Sequence, residues 1–143
     1  MEITQDEIKE KLVEVLDGNT AIILATTGGE FSPWILGAYY TTKEMSIYLL
    51  LETNGKSLAN IKLDSKVAFS VSKNDATQDF IQGQGNAVIL PDEDEANVRE
   101  MLVQKMPWYK TFVPMTPIRI NIKQVFVTSL QKGWFPAKVF SNN

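Results

Sequence analysis

Two rhythms of apolar and polar residues run along this chain. Residues 3–17 repeat apolar side chains at helical spacing, with Ile8, Leu12, Val15 and Leu16 on one stripe. Thr4 or Asp6 can cap the start of that helix and Gly18 can end it. The rhythm then changes to strand-like runs: 20–26, 31–41 and 46–51, separated by Gly28-Gly29 and by a turn over 42–45. Short turns between consecutive strands predict an antiparallel meander. Further strands are expected over 66–72, 79–90, 118–122 and 125–130, with a helix over about 92–105. Gly37 in mid-strand predicts a bend, a bulge or the close approach of a ligand, and Gly83 with Gly85 predicts a strongly coiled strand. The three-proline segment 106–117 reads as irregular, its Trp108, Tyr109 and Phe112 packing over a barrel end or at a subunit contact. The tail GWFPAKVF is apolar and predicts cover by a partner protomer.

The stretch Ile47–Val71 carries the first chemical signal. An apolar run gives way to Glu52-Thr53-Asn54-Gly55, then to a short helix with Leu58, Ile61 and Leu63 as its apolar positions, then to a strand with Val67, Phe69 and Val71 on one face. Thr53 or Asn54 is placed to cap that helix, which puts Lys56 and Ser57 in its first turn. Free backbone N–H groups, the positive end of the helix dipole, an ammonium and a hydroxyl together suit a phosphate. An ordinary surface Lys and Ser would give the same letters. The segment is not a P-loop: Leu50 stands where that motif needs its first glycine.

Composition narrows the chemistry. With 143 residues, one domain spanning 1–143 is expected, and 44% hydrophobic residues with 22% charged suit a globular protein. A net charge of −3 argues against a nucleic-acid surface, and no apolar run reaches a membrane-spanning length. Cysteine is absent and the N-terminus is charged, so a cytoplasmic setting is the expectation. Histidine is absent too, which removes the usual general base, metal ligand and partner of a nucleophile. The acidic run 92–95 reads as a solvated helix start rather than a metal site. Any chemistry here therefore falls to a bound cofactor.

The order of several segments resembles the FMN-binding split-barrel family, the group that includes pyridoxamine 5′-phosphate oxidase. LATTGGEFSPW, YLLLETNGKSLANIKLDSKVAFSV, QGNAVIL and IRINIKQVFVTSL carry the resemblance, which covers roughly residues 8–140. Leu24-Ala25-Thr26, Pro33, Lys56 and Asn60-Ile61 match the family's L-A-T strand, Pro-bearing second strand, basic helix start and following "N-[IL]".

The resemblance implies a mainly β fold with peripheral helices, a six-stranded antiparallel split barrel of Greek-key type, and a homodimer with FMN at the interface. It implies that Leu36, Gly37, Ala38 and Tyr39 pass along the isoalloxazine and that Leu50 and Leu51 lie beside the ribityl chain. Lys56 and Ser57 would hold the phosphate. Trp134 and Phe135 would reach the flavin of the other subunit. Gln82 or Gln84 would donate to the pyrimidine edge, and Tyr39 with Trp134 would flank the ring. The chain departs from the family at Leu36, where many members are basic, at Leu51, where many have Thr or Ser, and at Ser57, where a second basic residue is common. Without histidine a true pyridoxamine phosphate oxidase is not expected. The function implied is an FMN-dependent oxidoreductase of unknown substrate, with NADH or NADPH as a candidate donor. The alternatives are a carrier of FMN, a deazaflavin or another planar ligand such as a tetrapyrrole, or a cofactor-free structural dimer, the last favoured by Leu36 and Leu51.

Overall fold

The computed structural model describes residues 2–142. The helix α1 (Gln5–Asp17) opens the chain, with Thr4 as its N-cap accepting from the Glu7 N–H. Its buried stripe is Ile8, Leu12, Val15 and Leu16, joined by Lys11, which the hydrophobic pattern did not flag. Gly18 ends the helix with φ −84°, so the left-handed freedom of glycine is not used there. The strands β1 (Ala21–Thr26), β2 (Trp34–Tyr39), β3 (Thr41–Lys43) and β4 (Ser46–Glu52) follow. Next come α2 (Lys56–Leu63), β5 (Lys66–Val71) and β6 (Phe80–Ile89). A single 3₁₀ turn at Asp92–Asp94 leads into α3 (Glu95–Lys105), and β7 (Met115–Ser129) and β8 (Trp134–Ser141) close the chain.

The expected split barrel is present, with eight strands among the described residues in place of six. All pair antiparallel in the order β2-β1-β5-β6-β7-β4-β3, and β8 joins β7. Three differences explain the strand count. The run 31–41 breaks at Tyr40, whose N–H donates to Thr20 and whose ring is fully buried, so the chain turns a corner from β2 into β3. The runs 118–122 and 125–130 are one strand, which also takes in Met115 and Pro117 from the segment expected to be irregular. The apolar tail is itself a strand, β8, paired with β7; it buries Trp134 and Phe140 in the core and leaves Phe135 exposed.

The long β7 forks. Its first half pairs with β4 (Ser46↔Asn121 to Glu52↔Met115) and its second half with β8 (Gln124↔Ser141 to Ser129↔Trp134). On the other edge of β4 only Ser46–Tyr48 are paired, to β3. The edge of Leu49–Glu52 therefore faces the free edge of β2 with no ladder between them. This seam is where the barrel is split.

The glycines of β6 behave as expected of a coiled strand. A Cβ on Gly83 would lie 2.3 Å from Phe69 Cζ, and one on Gly85 would lie 2.3 Å from Asn121 O, beside a register shift at Gln84/Gly85. Gly37 differs: its strand keeps a regular register with β1, and a Cβ there would meet only Ile23 Cδ1 at 3.6 Å.

Candidate functional site

The seam opens into a cleft of about 360 Å³, within the range of small-molecule and cofactor sites. One wall is β2, contributing Leu36, Gly37, Ala38 and Tyr39, and the facing wall is the end of β4, with Leu50 and Leu51. The floor is the turn into α2, with Asn54, Gly55, Lys56 and Ser57. Eight of the residues singled out from the sequence thus meet in one place, although up to 21 positions separate them. The fold brings them together because β2 and β4 flank the seam and α2 starts where β4 ends.

The helix start is held from below. The cap is Gly55, with no side-chain cap hydrogen bond, rather than Thr53 or Asn54. Thr53 is otherwise engaged, its hydroxyl 2.9 Å from that of Thr116 and its N–H donating to Pro114. Asn60, on the inner face of α2, donates to Thr26 Oγ1 at 3.1 Å and so ties the helix to the end of β1. Gly29 packs so close that a Cβ there would fall 2.0 Å from Asn60 Oδ1, and the neighbouring Gly28 has φ +99°. This explains the glycine pair: the turn must bend left-handed and pass against the helix. At the far end Asp64 caps α2 through its backbone N–H, which donates to Asn60 O; its side chain accepts from the Lys66 N–H, which holds the carboxyl below the usual range, helped by Thr27. Leu63, expected among the apolar positions, points outward and is 73% exposed.

The first turn of α2 has unspent donors. Within the described residues the N–H groups of Lys56, Ser57 and Leu58 have no acceptor, the first bonded one being Ala59 to Gly55 O. Ser57 is 3% exposed, yet its Oγ has no hydrogen-bond partner. The Lys56 ammonium makes no ion pair among the described residues; it lies 5.0 Å from the Phe31 ring centroid and 5.3 Å from that of Trp34. A buried hydroxyl left unpaired is costly. Together with three free amides and one cation, it fits a tetrahedral anion.

Sequence reasoning missed the third wall. The segment after α3 supplies Tyr109, Lys110 and Thr111, with Met115 at the start of β7. It is fixed at two points: Trp108 and Tyr109 set edge-on against Tyr39, at 4.8 and 6.1 Å between centroids, and Arg99 Nη1 donates to Thr111 Oγ1 at 2.8 Å. Burial pushes the Tyr109 phenol above its ordinary pKa, so it keeps its proton at neutral pH. Three prolines and three aromatics read as packing material; nothing in the spacing tied them to Tyr39.

Four singled-out residues lie elsewhere in the chain. Gln82 faces out of β6 into a shallow groove with Ile23, Ile35 and Phe126, and Gln84 beside it accepts from Gln124 Nε2 at 2.8 Å. Trp134 is buried in the core, and Phe135 is 73% exposed on the opposite side of β8. Among the described residues no cluster of three acidic, cysteine or histidine side chains is present to hold a metal. No described helix is long and apolar enough to cross a membrane.

No protein-family model and no curated protein matches the chain. Solved structures do match it in shape. A candidate pyridoxamine 5′-phosphate oxidase from Listeria innocua superposes with a TM-score of 0.70 at 15% identity, covering 85% of this chain and 98% of that one. The fold is the split barrel. The heme storage protein HutZ from Vibrio cholerae shares this split barrel, with a TM-score of 0.70 at 14% identity over 87% of this chain and 98% of its own. General Stress Protein 26 from Bacillus anthracis also shares it, with a TM-score of 0.68 at 15% identity over 94% and 98%. At these identities the likeness concerns the fold alone.

Proposed function

We propose that the split-barrel cleft holds FMN and that the protein is an FMN-dependent oxidoreductase working as a homodimer. The observation that carries this is Ser57 Oγ, buried without a partner on a helix turn with three free amides, beside a lysine without a carboxylate. A phosphate monoester supplies acceptor oxygens for each of those donors. The β2 wall is the natural place for the flat ring, with Leu36 and Gly37 leaving the backbone accessible. Leu50, Leu51 and Met115 exclude water from the cofactor's flexible chain. Bound FMN would supply hydride and electron transfer, and this chain's part is to bind, orient and shield it.

Dimerisation is supported by the outer groove. Ile23 (44% exposed), Ile35 (67%) and Phe126 (37%) form an apolar surface on the sheet. A second copy covers it, and Gln82, in the same groove, then faces the partner. A nicotinamide dinucleotide is the reductant proposed. The test is direct: protein titrated with FMN and with riboflavin should prefer FMN, and NADH or NADPH should bleach the bound flavin anaerobically. Equal affinity for the two flavins would sink the phosphate site. Bleaching by neither dinucleotide would leave a carrier.

A second reading has one observation in its favour, the likeness to a heme storage protein. Since this chain has no histidine, a tetrapyrrole iron in the cleft would fall to Tyr39, Tyr109 or Met115. Hemin titration separates the two readings: a Soret shift abolished by Tyr109→Phe or Met115→Leu, with no FMN preference, selects the tetrapyrrole.

A further inference from the structure

We infer that Phe31 and Trp34 are positioning residues for the phosphate site: they hold the Lys56 ammonium at the mouth of the cleft. The inference rests on the FMN reading above and extends it to residues outside the helix start.

Lys56 is exposed, and an exposed lysine side chain ordinarily samples many rotamers, so its charge is spread over a wide volume. Here the ammonium lies over two rings at once, 5.0 Å from the centroid of Phe31 and 5.3 Å from that of Trp34. The rings meet edge to face at 6.1 Å and 66°, so they form a corner rather than a single flat support. The corner is itself anchored. Trp34 is the first residue of β2, paired with Thr26, and that same Thr26 accepts from Asn60 of α2. The aromatic corner and the helix that carries Lys56 are therefore referenced to one point at the end of β1. Trp34 also lines the cleft, so the ammonium is held toward the ligand and not away from it.

The arrangement suits anion binding. The π faces attract the cation from one side and leave N–H bonds on the other side for phosphate oxygens. Because the side chain is ordered before the ligand arrives, less conformational freedom is lost on binding. Lys56 is the one cation at this helix start, so the precision of its placement matters.

The experiment compares FMN with riboflavin, which lacks only the phosphate. Flavin fluorescence titrations would be run on the wild-type full chain and on Phe31→Ala, Trp34→Ala and the conservative Trp34→Phe. Each alanine variant is expected to lose roughly two- to fivefold in FMN affinity, the range of one exposed cation–π contact, with riboflavin affinity unchanged. Trp34→Phe is expected to restore most of the difference. Inorganic phosphate should compete with FMN in the wild type, and less well in both alanine variants. Thermal melts confirm that each variant is folded; Phe31, 49% exposed, carries little of the core. A wild-type preference for FMN that both alanine variants retain overturns this inference alone. Equal loss of both flavins overturns it as well, since the rings would then be touching the isoalloxazine. A wild type with no preference for FMN overturns the phosphate reading itself.

Discussion

Leaving a buried hydroxyl without a partner costs a fold about 1–3 kcal/mol, and Ser57 Oγ is such a group. Stability and binding therefore respond to it with opposite sign. Ser57→Ala is expected to raise the melting temperature of the ligand-free protein by roughly 2–4 °C, the shift that about 1 kcal/mol gives at this size. The same variant is expected to lower the added stabilisation from saturating FMN, so melts with and without FMN check both halves. Lys56→Ala acts on binding alone: FMN affinity falls and riboflavin affinity holds. That Lys56 and Ser57 stand together at a helix start was legible in the letters, because strand, turn and helix are local. That Ser57 is buried and unpaired was not, because its burial comes from packing that spacing does not encode. Tyr109, Lys110 and Thr111 were illegible for the same reason: they reach the cleft through contacts with Tyr39 and Arg99 that are distant in sequence.

At the scale of elements, α2 depends on Asn60. Its amide fills a buried gap beside Thr26, and both residues are nearly or fully buried. Asn60→Ala leaves the Thr26 hydroxyl without its donor, with an expected cost of about 1–3 kcal/mol in urea unfolding, and it loosens the helix that carries Lys56. The β3–β4 hairpin gives a second test. Its two-residue turn places Glu44 at φ 51° and Met45 at φ 63°, the paired left-handed geometry normally supplied by Asn-Gly. The letters Glu-Met do not announce such a turn, and Met45 is kept there by packing against the core. Glu44→Asn keeps that packing and relieves the strain, so it is expected to stabilise by about 0.5–1 kcal/mol in the same unfolding assay. Strands of strict alternation such as β5 were readable, since a period of two needs no tertiary information. The corner at Tyr40 was hidden: Tyr39 and Tyr40 look alike in sequence, but the latter donates to Leu16 O at 2.6 Å and lies under the Lys105 ammonium at 4.0 Å.

Across the whole molecule, α1 is clamped to the barrel by an ion pair. Lys11, 5% exposed, meets Asp79 Oδ2 at 2.8 Å and Glu14 Oε1 at 3.0 Å. The hydrogen bond to Asp79 outweighs burial and raises the Lys11 pKa. At Asp79, burial would raise the carboxyl, but the bonds from Lys11 and Ser129 hold it below its ordinary value. The lowered carboxylate contributes stability above its unfolded pKa, about 4, and loses it as pH falls through the folded value. The raised ammonium contributes below about 10.5 and loses its share as pH climbs past that point. Lys11→Met strands the Asp79 charge, so the variant should be less stable by about 1–3 kcal/mol near pH 7. That gap should narrow below pH 4 as Asp79 takes up a proton; melts across pH 3–7 would show it. On the same scale, Ile35→Lys in the outer groove is expected to convert the proposed dimer to a monomer in sedimentation.

The unladdered stretch between β2 and Leu49–Glu52 has a consequence for how this shape persists. Two rows of peptide groups look at each other across the seam without bonding, like neighbouring staves of a cylinder left unjoined. In the proposed complex a flat heteroaromatic with donors and acceptors on its rim would address those amides and carbonyls, which every residue type possesses. Side chains along the gap, Leu36 among them, would then be free to vary without altering what the rim meets. Recognition carried by the backbone is one physical reason why this architecture is shared with another chain at only 15% identity.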